Sequence, residues 1–306
     1  MKLGRVALDG TKVKANASKH KAMSYDRMKE KERQIRAEVR ELLAQAEATD
    51  AAEDAQYGAD RRGDELPEEL QRRETRLHKI REAKRALEER ARQKAEAEGK
   101  PAEEVRQARP ADKDQFNFTD PESRIMKGGD GFVQGYNAQA AVEPALQLIV
   151  GQSVTAAAND KEQVEPMLQV IEQQSGQQPE GLLADSGYCS EKNLEYLGAS
   201  GERGRKIDAY VATGKQKHGE YGQRCPRGRL PKTATRVERM KRKLQTQAGR
   251  TVYAARKTIV EPVFGQIKQA RGFRQFLLRG LVKVRGEWAL VCLTHNILKL
   301  YRLCNE

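Results

Sequence analysis

Three acidic residues stand where carboxylates could take part in metal chemistry. Asp9 ends a short apolar run (RVALD), Asp185 ends a second run (GLLAD), and Glu261 lies in the segment TVYAARKTIVEPVFGQIK. Carboxylates that follow adjacent parallel strands meet at one edge of a sheet, and a crossing helix can add a third. Such oxygen ligands suit Mg²⁺ or Mn²⁺. Two ions about 4 Å apart could then hold a phosphodiester, one activating the attacking water or 3′-hydroxyl and the other stabilising the leaving oxygen.

Each acid also has a simpler interpretation. Asp9 and Asp185 are closely followed by glycine, so either could be a turn residue. Glu261 could pair with Lys257 on one helical face at a spacing of four residues. The catalytic interpretation depends on the three acids occurring together, in this order, beside a basic segment.

Basic residues are concentrated in one part of the chain. The net charge is +13, and residues 203–285 hold 23 Lys or Arg against 4 Asp or Glu. The rest of the chain is therefore net acidic. A segment of this density indicates binding to the phosphate backbone of nucleic acid, although an ordinary solvated surface is the alternative.

Helical periodicity dominates the first third of the chain. RVALD predicts a strand, a basic loop follows, and apolar residues recur at helical spacing over residues 25–48 and 67–98. We therefore predict three parts: residues 1–23 hold the first strand and basic loop, residues 24–109 form an inserted helical hairpin, and residues 110–306 complete the domain. The hairpin could pack on itself, dimerise like a coiled coil, or act only as a spacer.

Strand patterns appear after residue 112. GYNAQAAVE and LQLIVGQSVTA predict an antiparallel hairpin, and residues 160–175 a helix capped by Asn159 or Asp160. A buried strand ending at Asp185, a short helix from Ser190, a strand at 208–213 and C-terminal helices follow. Without the insertion this order is β-β-β-α-β-α-β-α, which predicts an α/β fold, an RNase H-like mixed sheet flanked by helices.

The helix around Glu261 carries two stripes. Val260, Val263, Phe264 and Ile267 form an apolar stripe, and Lys257, Glu261, Gly265 and Lys268 form a polar one. Because proline disfavours helical geometry in the residue before it, Pro262 predicts a kink or a helix start near residue 261.

Other features narrow the class of protein. The chain has no run of eighteen apolar residues and no charged-then-apolar leader, so we expect a soluble cytoplasmic protein without a membrane partner. The four cysteines (Cys189, Cys225, Cys292, Cys304) form no CxxC pair, which argues against a zinc ribbon or a disulfide framework. His218 and Cys225 bracket the basic loop at 214–233, but two candidate ligands do not make a zinc site.

Several motifs together resemble insertion-sequence DDE transposases. These are LDGTKVKANAS, DPESR, DGFVQGYNAQAAV, LLADSGY and RKTIVEPVFGQIKQARGFRQFLLRG, and the branch they resemble most is the group named after insertion sequence eleven-eighty-two. The resemblance spans nearly the whole chain. It implies an RNase H-like catalytic domain, Mg²⁺ dependence with Mn²⁺ as a substitute, and cutting and joining of element ends in double-stranded DNA.

Site residues follow from the resemblance position by position. It places the catalytic and metal-binding triad on Asp9, Asp185 and Glu261. The family's tyrosine, arginine, glutamate, lysine signature falls on Tyr253, Arg256, Glu261 and Lys268, with one extra residue between Arg256 and Glu261. The expected DNA contacts are Tyr253, Arg256, Lys257, Lys268, Arg271 and Arg274. A homodimer on DNA is expected, since two element ends are cut together.

Members of this family usually have a helical region ahead of the first aspartate, whereas this chain begins eight residues before Asp9. We therefore expect an N-terminally short form, with a catalytically inactive DNA-binding remnant as the alternative. A third alternative, a coiled-coil interaction protein with a basic tail, predicts a helical protein without strands.

Overall fold

The computed structural model describes residues 3–57, 68–128, 131–198, 207–214 and 228–305. The chain divides into two compact units, one formed by Met1–Ala17 with Glu122–Glu306 and the other by Ser18–Pro121. The strands are, in chain order, β1 (Arg5–Lys14), β2 (Ala22–Ser24), β3 (Gln115–Asn117), β4 (Arg124–Gly128), β5 (Gly131–Val142), β6 (Ile149–Thr155), β7 (Gly181–Ala184) and β8 (Asp208–Val211). The helices are α1 (Tyr25–Tyr57), α2 (Glu68–Ala97), α3 (Ala102–Gln107), α4 (Val164–Ser175), α5 (Glu191–Gly198), α6 (Arg236–Gln245), α7 (Gln247–Gly265) and α8 (Leu281–Asn305).

A mixed sheet organises the first unit. Strand β5 pairs with β1 along one edge and with β4 and β6 along the other, and the order continues from β1 to β7 and β8. Strands β1, β7 and β8 are parallel, whereas β5 is antiparallel to β1, β4 and β6. This α/β architecture is compatible with the predicted RNase H-like fold. The sheet also excludes a purely helical coiled-coil protein.

Strand β1 is longer than its apolar run. The prediction ended it at Asp9, but the strand continues to Lys14 and pairs with β5 down to Gly135. Its residues alternate between the two sides of the sheet, as the strand period of two requires. Ala7 and Val13 belong to one apolar core, and Val6 and Leu8 to another on the opposite side. The polar residues that follow Asp9 in β1 therefore lie within a paired strand and not in a loop.

The predicted hairpin of β5 and β6 is confirmed. Its turn is held by the Glu143 carboxylate, which accepts hydrogen bonds from the backbone N–H of Leu146 at 2.7 Å and of Leu148 at 3.0 Å. Gln147 in this turn has a φ of 57°, a conformation that non-glycine residues seldom adopt. The turn thus fixes the start of β6.

Pro262 lies inside α7, so the predicted helix start near residue 261 is wrong. Proline lacks the N–H that would bond to the carbonyl four residues earlier, here that of Thr258. The Gln147 side-chain amide donates to this carbonyl oxygen at 3.0 Å, which satisfies the acceptor that proline leaves open. Helix α7 therefore passes through Pro262 and ends in a π-helical turn at Gln266–Ala270.

The second unit is largely helical. Residues of α1 and α2 share an apolar core that includes Met28, Ile35 and Ile80, each at most 2% exposed. The Glu32 carboxylate beside this core is bound by Lys84 at 2.6 Å and Arg81 at 3.3 Å. Strands β2 and β3 pair antiparallel in the same unit. Both predicted helices are present, and the role of residues 24–109 as an inserted hairpin stays a prediction.

Two further expectations concern the basic loop and the absence of membrane-spanning helices. Most of the basic loop at 214–233, including His218 and Cys225, lies outside the described residues. Among the residues that are described, no helix is both long and apolar enough to cross a membrane.

Candidate active site

Asp9 and Asp185 lie side by side on the sheet. The parallel register of β1 and β7 pairs Leu8 with Ala184, and the two aspartates directly follow these partners. The Asp9 carboxylate accepts a hydrogen bond from the Gly10 N–H at 2.8 Å, and that of Asp185 from the Gly187 N–H at 2.8 Å. Two carboxylates thus stand where a pair of parallel strands delivers them together.

The electrostatics of Asp9 reflect this position. Burial raises the pKa of its carboxyl most strongly, the positive charge of Arg256 acts in the opposite direction, and the negative charge of Asp185 raises it further. The net pKa lies above the ordinary value. The two carboxylates repel each other, and Arg256 offsets this repulsion only in part. A cation between them would offset it further.

Arg256 of α7 supplies the positive charge beside Asp9. Its guanidinium Nη1 lies 2.9 Å from Asp9 Oδ2, and only 11% of the Arg256 side chain is exposed. Tyr253, one helical turn earlier, hydrogen-bonds to Arg256, and burial raises the pKa of its hydroxyl. Two members of the predicted signature therefore reach the acidic pair from one face of α7.

Glu261 occupies a different face of α7. It follows Arg256 by five residues, which is about 140° around a helix, and its side chain is exposed. Within the described part of the chain it makes no hydrogen bond or ion pair. The structure thus brings Asp9, Asp185, Arg256 and Tyr253 together, and among the described residues it shows no side-chain contact between Glu261 and these four.

The predicted DNA-contacting residues extend along the same helix and beyond it. Lys257 is exposed, and Lys268 Nζ donates to the backbone oxygen of Lys12 at 2.9 Å. The Arg271 guanidinium bonds to the Val291 carbonyl oxygen of α8 at 3.0 Å, and Arg274 bonds to Gln269. Both arginines remain exposed. We call these four cations, which are exposed or half-buried, the basic surface; Arg256, largely buried against Asp9, is not part of it.

Asp160 is a third acid in this region, and its predicted role as a helix cap is wrong. Helix α4 begins at Val164, and Gln163 holds the capping position. The Asp160 carboxylate instead accepts hydrogen bonds from the side chains of Asn137 at 2.6 Å and Gln139 at 2.7 Å. Lys12 Nζ lies 3.6 Å from the same oxygen.

Tyr188 shows how closely the three aspartates gather. It is fully buried, and its hydroxyl donates to the Gln139 side-chain oxygen. Burial raises the pKa of this hydroxyl well above its usual range, and the negative charges of the three aspartates act in the same direction. One signal for this network was in the sequence: Asn137 and Gln139 stand two apart in a strand, which places them on one face.

Arg256→Gln is expected to raise the pKa of Asp9 still further. The substitution removes the strongest influence that lowers this pKa, so burial and the charge of Asp185 are then opposed mainly by the hydrogen bond from the Gly10 N–H. The measurement is a carbon-13 NMR titration of the Asp9 carboxyl, assigned by comparison with Asp9→Asn. Lys257→Gln, which removes an exposed charge from the adjacent position, should leave the pKa unchanged. An equal or lower Asp9 pKa in Arg256→Gln would contradict the assigned role of the ion pair.

The described residues contain no set of three or more acidic, histidine or cysteine side chains already arranged to hold a metal ion. The Asp9 and Asp185 pair nevertheless fits a hard cation in its chemistry. Mg²⁺ is commonly held by one or two carboxylates, with water and substrate phosphate completing its shell. A glycine is needed beside this pair, since a Cβ built on Gly187 would lie only 3.0 Å from Asp185 Oδ1 and 3.2 Å from Asp160 Oδ2.

Two neighbouring carboxylates have the chemistry to hold the divalent ions that two-metal phosphatases, polymerases and nucleases use. Residues 226–301 match the family model described as "Transposase DDE domain", which covers about a quarter of the chain and includes Glu261 and the basic residues around it. This match supports a DDE transposase and suggests transposition-related DNA cleavage and transfer. No curated protein and no solved structure matches the chain.

Proposed function

We propose that this chain is a DDE transposase that cleaves DNA strands and transfers them to a target, using an RNase H-like catalytic domain. The observation that carries the proposal is the placement of Asp9, within β1, beside Asp185, which directly follows the parallel strand β7, with Arg256 paired to Asp9. The matched family model supports the same class from the C-terminal part of the chain. Asp9 and Asp185 both lie outside the matched residues 226–301, so the pairing of the two aspartates is independent of the match.

Asp9, Asp185 and Glu261 are the residues proposed to hold two divalent cations, Mg²⁺ or Mn²⁺. When bound, these ions would supply activation of the attacking oxygen and stabilisation of the leaving one. The two aspartates need little rearrangement, because the strands already present them to the same space. Glu261 shares α7 with Arg256, so it is attached to the helix that reaches Asp9.

The basic residues are proposed to position the DNA. Lys257 and Lys268 follow Arg256 along α7 and its π-helical extension, and Arg271 and Arg274 lie just beyond. Cations spaced along one element suit successive phosphates, and such contacts fix the register of the duplex without reading its sequence. Tyr253 would support Arg256 in this task, since the two side chains are hydrogen-bonded.

A DNA-binding protein of the same fold without catalysis is the second candidate. The exposed position of Glu261, away from the two aspartates, favours it. Such a remnant would keep the basic surface and bind DNA, but would not cut it in the presence of metal. The two candidates differ in a single measurable property, which is metal-dependent cleavage.

The finer features of the proposal depend on the resemblance to insertion-sequence transposases. They are membership of the group named after insertion sequence eleven-eighty-two, residues 24–109 as a helical hairpin inserted after the first strand, and a homodimer on double-stranded DNA. A cytoplasmic protein associated with the nucleoid belongs to the same proposal. Each would be tested after cleavage itself.

The experiment uses the full chain and end-labelled linear DNA that carries the sequences flanking its own reading frame. Incubation with Mn²⁺ or Mg²⁺ should give cuts at defined positions and joined products with a second DNA, and chelation should remove both. DNA binding without any metal-dependent product would replace the proposal by the non-catalytic candidate. Absence of DNA binding as well would reject both.

A further inference from the structure

Asp160 is placed by tertiary contacts from several elements. It lies between β6 and α4, and its carboxylate is reached by Asn137 and Gln139 of β5 and by Lys12 of β1. Asn137 and Gln139 are fully buried, and 17% of the Asp160 side chain is exposed. Since two buried amides donate to one oxygen, the orientation of this carboxylate is fixed by the sheet.

The two oxygens of Asp160 have different surroundings. Oδ1 accepts both amide hydrogen bonds and faces Lys12 Nζ. No hydrogen bond from the described part of the chain goes to Oδ2. One oxygen therefore anchors the side chain, while the other keeps its capacity to accept.

Two glycines lie against this carboxylate, where a larger residue would crowd it. A Cβ on Gly10 would lie 2.8 Å from Asp160 Oδ1, and a Cβ on Gly187 would lie 3.2 Å from Asp160 Oδ2. The Gly187 position also faces Asp185 Oδ1 at 3.0 Å, so both carboxylates border the same space. Any side chain at residue 187 would occupy the volume between them.

We propose that Asp160 is a positioning residue of the divalent-cation site, in which Oδ2 binds the water shell of a cation held at Asp185. This inference depends on the proposed function, because that function brings the cation to Asp185. Mg²⁺ keeps several of its waters when bound to protein, so an acceptor next to a ligand has a defined partner. Residues that hold such ligands and waters typically change metal affinity by about 10- to 100-fold when they are replaced.

Lys12 completes the arrangement. Burial lowers the pKa of its ammonium group, and the charge of Asp160 acts in the opposite direction. Because Lys12 offsets part of the negative charge on the Oδ1 side, the third carboxylate adds less repulsion to the acidic pair. The side chain can then stand beside Asp185 while no cation is bound.

The test is Mn²⁺ binding by titration calorimetry, with thermal unfolding of the same metal-free samples. The full chain is compared with Asp160→Asn, Asp185→Asn and Glu162→Gln. Glu162 is the matched control, because it is an exposed acid two residues from Asp160. Asp160→Asn should weaken Mn²⁺ binding about tenfold or more. Its melting temperature should stay within a few degrees of the parent, and Glu162→Gln should bind as the parent does.

The outcomes separate this inference from the proposed function. Weak binding by both aspartate variants supports the inference. Weak binding by Asp185→Asn with parental binding by Asp160→Asn overturns the inference and leaves the proposed function in place. If the folded parent binds no Mn²⁺, both fall. Should Asp160→Asn fail to fold, Asp160→Ser, which is smaller and retains a hydroxyl acceptor, replaces it under the same criteria.

Discussion

Asp185→Asn is expected to lower the rate of metal-dependent DNA cleavage by about a thousandfold or more. Cations that stabilise the charge of a phosphodiester transition state contribute several kcal/mol, and each step of about 1.4 kcal/mol is a factor of ten in rate. The amide keeps the size of Asp185 and can still accept from the Gly187 N–H, so the local turn should persist. The measurement is the initial rate of cleavage of the end-labelled DNA in Mn²⁺.

Asp9→Asn should have a similar effect, and the double variant should be little worse than either single one. Groups that act as one catalytic unit are strongly non-additive, because removing one member already removes the contribution of the unit. DNA binding in the absence of metal should survive in all three variants. Cleavage by Asp185→Asn within tenfold of the parent would remove Asp185 from the site, and rate losses that multiply in the double variant would argue against a shared cation.

Trp288→Ala is expected to destabilise the chain by about 3–5 kcal/mol, the usual cost of emptying a large aromatic site in a core. Trp288 of α8 is fully buried, with ring centroids 6.5 Å from Phe264 and 6.2 Å from Phe273. Its indole N–H also donates to the Gln139 backbone oxygen at 3.0 Å. Urea-induced unfolding followed by far-ultraviolet circular dichroism measures the change, since the variant lacks the chain's one tryptophan.

Leu290→Ala is the matched control for Trp288→Ala. Leu290 lies two residues further along α8 and is 64% exposed, so its truncation leaves no cavity. The expected change is within about 0.5 kcal/mol. Equal stability losses in the two variants would mean that α8 does not pack on the sheet through Trp288.

The acidic pair could be predicted from sequence because its signals are local. An apolar run that ends in aspartate predicts both the strand and the position of the carboxylate, and two such runs predict adjacent strands in an α/β protein. Asp9 and Asp185 lie beside each other on neighbouring strands, as this pattern predicts. The same reasoning ended β1 too early, because residues after Asp9 pair with β5 even though they are polar.

Asp160 and Pro262 show what sequence could not supply. Asp160 stands three residues before Gln163 and just ahead of an apolar helix, which is the local pattern of a helix cap. Its carboxylate instead accepts hydrogen bonds from Asn137 and Gln139, because the fold brings β5 next to it. Pro262 would normally interrupt a helix, but Gln147 from a distant turn satisfies the freed carbonyl. Glu261 has the polar stripe that sequence predicts, yet its direction relative to the sheet depends on how α7 docks.

The large separation in sequence between β1 and its partner strands has a consequence for synthesis of the protein. The strand that carries Asp9 ends at Lys14, whereas its partner β5 begins only at Gly131 and its partner β7 at Gly181. At about 5–20 residues per second, β1 waits on the order of ten seconds for any strand partner. During that interval Asp9 has neither Asp185 nor Arg256 beside it. The nascent polypeptide therefore carries no assembled acidic pair until β7 has been made and has paired with β1.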